Sequence, residues 1–463
     1  MKSLALVAVM ALSACTMTPA LVRPDPQIPI VYPHSVPVRG AVQAADIGWR
    51  EMFSDARLQR LIEMALTNNR DLRLAALNVQ AVQAQFNIQQ AAQLPAVDAG
   101  LSGSRSRTRD SGSAVTASQF GTSIRVTAFE LDLFGRVSAQ TEAAFSRYLA
   151  SEQGRRAAQI ALVGAVADSY FAERLAREQF DLAEKTVRDW QSSADLARRL
   201  KDANQTGALE LAQALAQVAT AEADLEARKR ARDLAHNALA VLIGQQVPAD
   251  LPPGTSLMDG GVITQLPAGL PSQMLIRRPD LQQAEMSLVA ANAEIGAARA
   301  AFFPSISLTA SVGTASSDIG QLFKAGHGVW SFAPQITQPL FNAGKLKAEL
   351  RLAELRKSSA LLEYERAVQI AFREVADGLA GSESFARQAE AQRRAVQGAE
   401  RRAALAEMRH RAGVDSRLEL LDAQRQLYAA KQAVLDLRRA ELGNAIALYK
   451  ALGGGLKEST QPG

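Results

Sequence analysis

The chain has 463 residues, of which 48% are apolar but only 5% aromatic, with 52 basic against 47 acidic residues and a formal net charge of +5. Alanine supplies much of the apolar fraction, which is the composition of long, closely packed helices rather than of a bulky globular core. No basic stripe interleaved with aromatics is present, which argues against a nucleic-acid partner, and the single cysteine excludes disulfides.

The N-terminus reads as an address. Lys2 precedes an apolar run from Leu4 to Leu12, followed by Ser13-Ala14-Cys15, the pattern of a secretory signal over residues 1–14. The run is too short to span a bilayer. Leu12-Ser13-Ala14-Cys15 resembles a bacterial lipobox, whose cysteine becomes the lipidated first residue of the mature chain; the plainer alternative is a cysteine that happens to lie near a cleavage site. Pro19, Pro24, Pro26, Pro29, Pro33 and Pro37 make 15–54 an extended, polyproline-like segment.

The rest of the chain says nearly the same thing twice. Val166-Ala167-Asp168 returns as Val375-Ala376-Asp377, and Leu209-Glu210-Leu211 as Leu418-Glu419-Leu420, in each case 209 positions later. Such an echo implies two copies of one structural unit: repeat 1 over 55–247, a proline-rich linker over 248–271, repeat 2 over 272–453 and a flexible tail over 454–463. Proline marks the junctions and leaves two long gaps that can hold unbroken helices.

Within each repeat the elements follow in one order. Alternation of apolar with small polar residues predicts strands over about 96–109 and 119–130, then 304–316 and 329–340, joined by Ser/Gly-rich loops at 110–118 and 316–328. Long helices follow over 136–201 and 345–411, each about 100 Å at 1.5 Å per residue. Tight turns lead into return helices over 208–243 and 416–452. The return helices carry Leu211, Val218, Leu225 and Leu239, and Leu420, Leu427, Val434 and Leu448, along one coiled-coil face, interrupted at Arg232 and Glu441. Each return helix is half as long as its partner, so Asp71–Leu94 and Asp280–Phe303 must cover the remainder.

A strand with small hydroxyls on one face and apolar residues on the other suits water on one side and lipid on the other. Two half-buried hairpins of a soluble sheet would show the same pattern. If the strands span a bilayer, the sheet must close, and four strands are too few to do so alone. Several copies of the chain must then pool their strands, and their helices would form a hollow cylinder below.

Leu131-Asp132-Leu133-Phe134-Gly135-Arg136, Arg277-Arg278-Pro279-Asp280-Leu281, Phe302-Phe303-Pro304-Ser305-Ile306 and Gln338-Pro339-Leu340-Phe341, together with the lipobox, resemble the outer membrane factor (TolC/OprM-like) family, in its NodT-type lipoprotein branch. The resemblance covers essentially the whole mature chain. It implies a mainly α fold with transmembrane β: an internally duplicated, long α-helical coiled-coil barrel plus four strands given to a trimeric, twelve-stranded outer-membrane β-barrel. It further implies a homotrimer, anchored in outer-membrane lipid and extending into the periplasm. Such a duct passively exports small molecules delivered by an RND-type inner-membrane pump and a periplasmic adaptor. Two alternatives stand beside it: a TolC-like duct for type I protein secretion, and a lipid-anchored structural coiled coil without a channel.

Site residues carry over narrowly. The turns around Gly207 and Gly413, with Asp202 and Asp415, correspond to the tip that meets the adaptor; the glycines are equally explained as turn positions that tolerate positive φ. Glu419 and Asp422 match acidic positions lining a closed aperture, spaced to share one helix face; an ordinary exposed helix face explains them equally. Glu210 is the first repeat's counterpart of Glu419, but Gln213 stands where the second acid would be. The aperture-locking tyrosine and arginine of TolC are replaced by His410 and Asp415, leaving Arg409, Arg411 and Arg417 as candidates for a different lock. The four histidines fit no metal spacing, no nucleophile or phosphate motif occurs, and no cofactor or enzymatic activity is expected.

Overall fold

The structure, a computed structural model, describes residues 17–22, 28–33, 44–110, 113–259, 261–269 and 271–460. The signal segment 1–14 and Cys15 lie outside the described residues. In chain order the main elements are α1 (Trp49–Met52), α2 (Ala56–Asn68), α3 (Arg70–Ala91), β1 (Val97–Asp110), β2 (Ser113–Leu131), α4 (Arg136–Asp202) and α5 (Ala208–Ile243). There follow α6 (Pro271–Arg277), α7 (Pro279–Ala300), β3 (Ser305–Ser316), β4 (Gly328–Thr337), α8 (Lys345–Arg411) and α9 (Arg417–Ala451). The 209-residue echo is structural: α3 returns as α7, α4 as α8 and α5 as α9, with boundaries matching to within a residue.

Matching ends are made by matching chemistry. The return helices stop at left-handed glycines, Gly244 (φ 72°) and Gly453 (φ 87°), where a Cβ would be strained. Beside each stop a side chain reaches across to the last carbonyls. Asn69 Nδ2 donates to Leu242 O at 2.9 Å, and Arg278 Nη1 donates to Ala451 O at 3.0 Å. Asn69 and Arg278 occupy equivalent positions, so different residues perform one capping task. This accounts for the Arg278-Pro279-Asp280 motif: the buried guanidinium is held by Asp280 (2.6 and 3.0 Å) and Glu374 (2.8 Å). Pairing on several sides offsets the cost of burying the charge.

The chain divides into two compact units, and neither is a repeat. One comprises residues up to Asp25, Asn78–Glu152 and Gln283–Glu365; the other comprises Pro26–Leu77, Gln153–Gln282 and Arg366–Gly463. Both repeats contribute to both units.

The first unit holds the sheet, antiparallel throughout in the order β1-β2-β3-β4. Its register separates two faces. Val97, Ala99, Leu101, Ile124, Val126, Ala310, Val312, Trp330 and Phe332 fall on one; Asp98, Gly100, Ser102, Ser123, Arg125, Ser311 and Ser331 fall on the other. A bulge between Val126 and Phe129, with Ala128 at φ 50°, keeps Phe129 and Leu131 on the apolar face. The hydroxyl pair Thr122–Thr314 (2.9 Å) satisfies itself on the apolar face, as Ser311–Ser331 (2.7 Å) does on the polar one. The loop expected over 110–118 is much shorter. The β1–β2 ladder runs without a break from Val97↔Val126 to Asp110↔Ser113, because small and β-branched residues such as Val115 and Thr116 pair well across a ribbon. β4 ends earlier than expected, at Thr337, just before Pro339, which cannot donate to a ladder.

In the second unit α4 and α5 pack as the heptad spacing predicts. Val187, Trp190, Ala194 and Ala197 of α4 meet Ala214, Val218 and Ala221 of α5, with Leu211 and Leu225 against them. The interruptions are also engaged: Arg232 lies over the Phe180 ring at 4.4 Å, and Glu441 accepts from Arg438 at 2.7 Å. Asp55 caps α2, accepting from Arg57 N and Leu58 N, and takes further hydrogen bonds from Tyr170 Oη (2.7 Å) and Thr255 Oγ1 (2.7 Å). Burial alone would raise its pKa, but the bonds from Thr255 and Tyr170 outweigh it and hold the carboxyl below its ordinary range. Residues 454–460 differ from the expected flexible tail. Trp49 N donates to Lys457 O (3.0 Å), Arg50 N to Glu458 O (3.1 Å), and Lys457 Nζ pairs with Asp46 (2.9 Å), so backbone bonds tie this segment down.

Candidate functional site at the helical turns

The two turns that close the helical hairpins lie in the second unit and share one geometry. Asn204 N donates to Lys201 O and Gln205 N to Leu200 O; Gly413 N donates to His410 O and Val414 N to Arg409 O. Each is the double bond of a helix stopped by a left-handed residue, here Asn204 (φ 56°) and Gly413 (φ 71°). The positive φ expected at both glycines is therefore found at Gly413 and not at Gly207. Gly207 is extended (φ −85°, ψ 163°) and starts α5, as Ser416 (φ −68°, ψ 156°) starts α9. Both glycines face open space, with nothing within 4 Å of an added Cβ. Asp202 ends α4 and is exposed.

Asp415 is not a free tip carboxylate. Arg409 grips it with two bonds of 2.6 and 2.8 Å, and that guanidinium holds its carboxyl below the usual range. His410 Nδ1 lies 3.3 Å from Asp415 O.

Glu419 and Asp422 share one face of α9, as their spacing requires, but a cation from α8 sits with them. Arg402 Nη2 is 2.9 Å from Asp422 Oδ2 and 3.7 Å from Glu419 Oε2. Arg425 (3.3 Å) and Gln426 Nε2 (3.0 Å) also reach Asp422. Within one chain the acidic pair thus shares Arg402, and Asp422 has Arg425 as well. Glu210 does not join it; it lies near Arg417, whose charge it favours. Gln213 instead lines a cleft of about 510 Å³ with Trp190 and Tyr428.

Of the three candidate lock arginines, two stay local: Arg409 binds Asp415 in its own turn, and Arg411 pairs with Glu407 on its own helix. Only Arg417 crosses to the other hairpin. It is 3% exposed, and its Nη2 donates to Ser193 O and Ser193 Oγ of α4, both at 2.8 Å, while Nε has no hydrogen-bond partner among the described residues. Burial lowers its pKa and Glu210 opposes that shift. Sequence reading also missed a second bridge between the hairpins. Tyr428 of α9 donates to Asp224 of α5, which pairs with Arg228 at 3.3 Å, and Gln432 Nε2 donates to Tyr428 at 2.8 Å. Burial and the Asp224 contact push the Tyr428 hydroxyl up to about 12. The available signal was a set of polar residues interrupting alanine-rich helix faces.

The outer membrane efflux protein family profile matches the chain twice, over residues 61–245 and 270–454, with the same offset as the repeats. The chain belongs to the outer membrane efflux protein family. Among its relatives, the toluene efflux pump outer membrane protein TtgC of Pseudomonas putida is 46% identical over 472 residues, covering 99% of this chain and 97% of that protein. The cation efflux system protein CusC of Escherichia coli is 42% identical over 451 residues, covering 96% and 97%. The open state of the Neisseria gonorrhoeae MtrE outer membrane channel superposes with a TM-score of 0.91 at 40% identity, over 97% of this chain and 100% of that one. Membership makes this an outer-membrane efflux channel protein, and its fold is that family's: long helical coils with strands given to a membrane barrel.

Proposed function

We propose that the chain is one subunit of a homotrimeric duct, through which small molecules leave after delivery by an RND-type inner-membrane pump and a periplasmic adaptor. The observation that carries this reading is the open sheet. Among the described residues β1 and β4 each have one edge without a partner strand, and the apolar face is bare, with Leu101, Trp330 and Ile336 exposed by 78%, 79% and 69%. In lipid the backbone must be paired and the sheet closed. Single-chain barrels begin at about eight strands, so four strands need neighbours, and three copies supply roughly twelve. The same bare face argues against a structural coiled coil without a channel.

The turns at Asp202–Gly207 and Gly413–Asp415 form the adaptor-facing tip, and Glu419 with Asp422 the constriction. The relatives' names span toluene and cations at 46% and 42% identity, which fits a conduit that leaves selection to its pump. Lipidation at Cys15 accords with the N-terminal strap. Pro19 O accepts from Asn292 Nδ2 (2.8 Å), and Thr18 lies against Gly296, so the chain runs backward along α7 toward its β3 end.

Detergent-extracted particles containing three chains, and giving discrete conductance steps in planar bilayers, are the expected result; a monomeric, non-conducting particle contradicts the reading. Labelled palmitate enters the wild type and not Cys15→Ala; equal incorporation would remove the anchor.

A further inference from the structure

Beyond the four-stranded part of the sheet, β1 and β2 continue as a two-stranded ribbon. The last residue of β3, Ser316, stands opposite Phe120, which pairs with Gly103. Seven further pairs, from Ser104↔Gln119 to Asp110↔Ser113, lie past that row, about 20 Å of ribbon. Arg105, Arg107 and Arg109 alternate with Ser104, Ser106 and Thr108 along it. Because the register has no break from Val97 onward, the three arginines continue the face of Val97, Ala99 and Leu101, while the hydroxyls continue the polar face.

Their cross-strand partners are Ser118, Thr116 and Ala114, too small to cover them and without charge. All three arginines are exposed, and none has an ion-pair or hydrogen-bond partner among the described residues. Guanidinium groups facing acyl chains are costly, so the hydrocarbon must end near Gly103. There the Phe120 ring lies across the glycine, 3.2 Å from where its Cβ would stand, an aromatic at the boundary of an apolar band. The ribbon leaves the sheet at the end opposite the helices, since α3, α4, α7 and α8 all join the strands at their other ends.

We propose that Arg105, Arg107 and Arg109 form a binding surface for the phosphate groups of the outer-leaflet glycolipid. Three outward-facing guanidiniums about 7 Å apart, starting two residues past the hydrocarbon edge, meet the headgroup layer where its phosphates lie. Arginine suits that partner because its planar fork takes phosphate oxygens in pairs. This inference rests on the strands spanning the membrane as proposed above.

The test reconstitutes the wild type, Arg105→Ser/Arg107→Ser/Arg109→Ser, the corresponding triple Lys variant and Arg107→Ser alone. The vesicles are phosphatidylcholine containing either lipopolysaccharide or its dephosphorylated form. Two quantities are read: resistance to carbonate extraction, and lipopolysaccharide retained per chain after detergent washing. The wild type should retain lipopolysaccharide, with about fivefold less for Arg107→Ser and more than about tenfold less for the triple Ser variant. The Lys variant, which keeps the charge but not the fork, should fall between the wild type and the triple Ser variant, and dephosphorylated lipid should be lost by all. Equal retention by carbonate-resistant wild type and Ser variants, or equal retention of dephosphorylated lipid, overturns the inference alone. A carbonate-extractable wild type overturns the membrane-spanning reading and this inference with it.

Discussion

Asn204 and Gly413 hold the same left-handed position in the two turns, yet only one is a glycine. Asn adopts that conformation at modest cost through its short polar side chain, so the two turns share a geometry without sharing a residue type. Gly207, by contrast, has a backbone that any residue adopts. Gly413→Ala should therefore destabilise the protein by about 1–2 kcal/mol, while Gly207→Ala should stay within about 0.5 kcal/mol. Denaturant midpoints of the detergent-solubilised protein would check this; equal losses at the two sites would contradict the turn geometry. Neither side chain would meet a neighbour within the chain, so the contrast isolates backbone strain.

At the scale of elements, the repeats match in length and ends and differ in what their return helices carry. Gln213 stands for Asp422, and Ala208 for Arg417. The second return helix thereby gains both an acidic pair and a buried arginine bonded to Ser193 of α4. Arg402 moderates the acidic pair, so Arg402→Ala, which leaves Glu419 without that cation and Asp422 with Arg425 alone, should make the channel more cation-selective on the proposal that the pair lines its constriction. Reversal potentials across a salt gradient in planar bilayers would show it; an unchanged or more anion-selective channel would remove the pair from the conduction path. The helices themselves were legible, because proline, glycine and heptad spacing state their ends and faces directly. Of the β1–β2 ribbon only the β1 side was, as part of the strand expected over 96–109. Residues 113–118 of β2 read as loop, and pairing with a partner strand, which no local pattern encodes, makes them sheet. The Arg402–Asp422 contact joins separate helices, and single-helix spacing carries no trace of it.

At the scale of the molecule, each repeat contributes one hairpin to an unclosed sheet and part of its long helix to each compact unit. Each compact unit thus draws on both repeats, and neither repeat is a unit of its own. The faces of β1 and β4 were readable from alternation, and the requirement for partners follows from edges that this chain leaves unpaired. Closure between copies can be read directly with thiols. Ser331→Cys on β4 would be combined in turn with Cys at Asp98, Gly100, Ser102 or Ser104 of β1, all on the polar face, with each single-cysteine variant as a control for Cys15, the one native cysteine. On oxidation in membranes, at least one pair should give a denaturant-resistant, reducible ladder ending at three chains. Only single-chain species at every register would contradict a barrel closed by neighbouring copies.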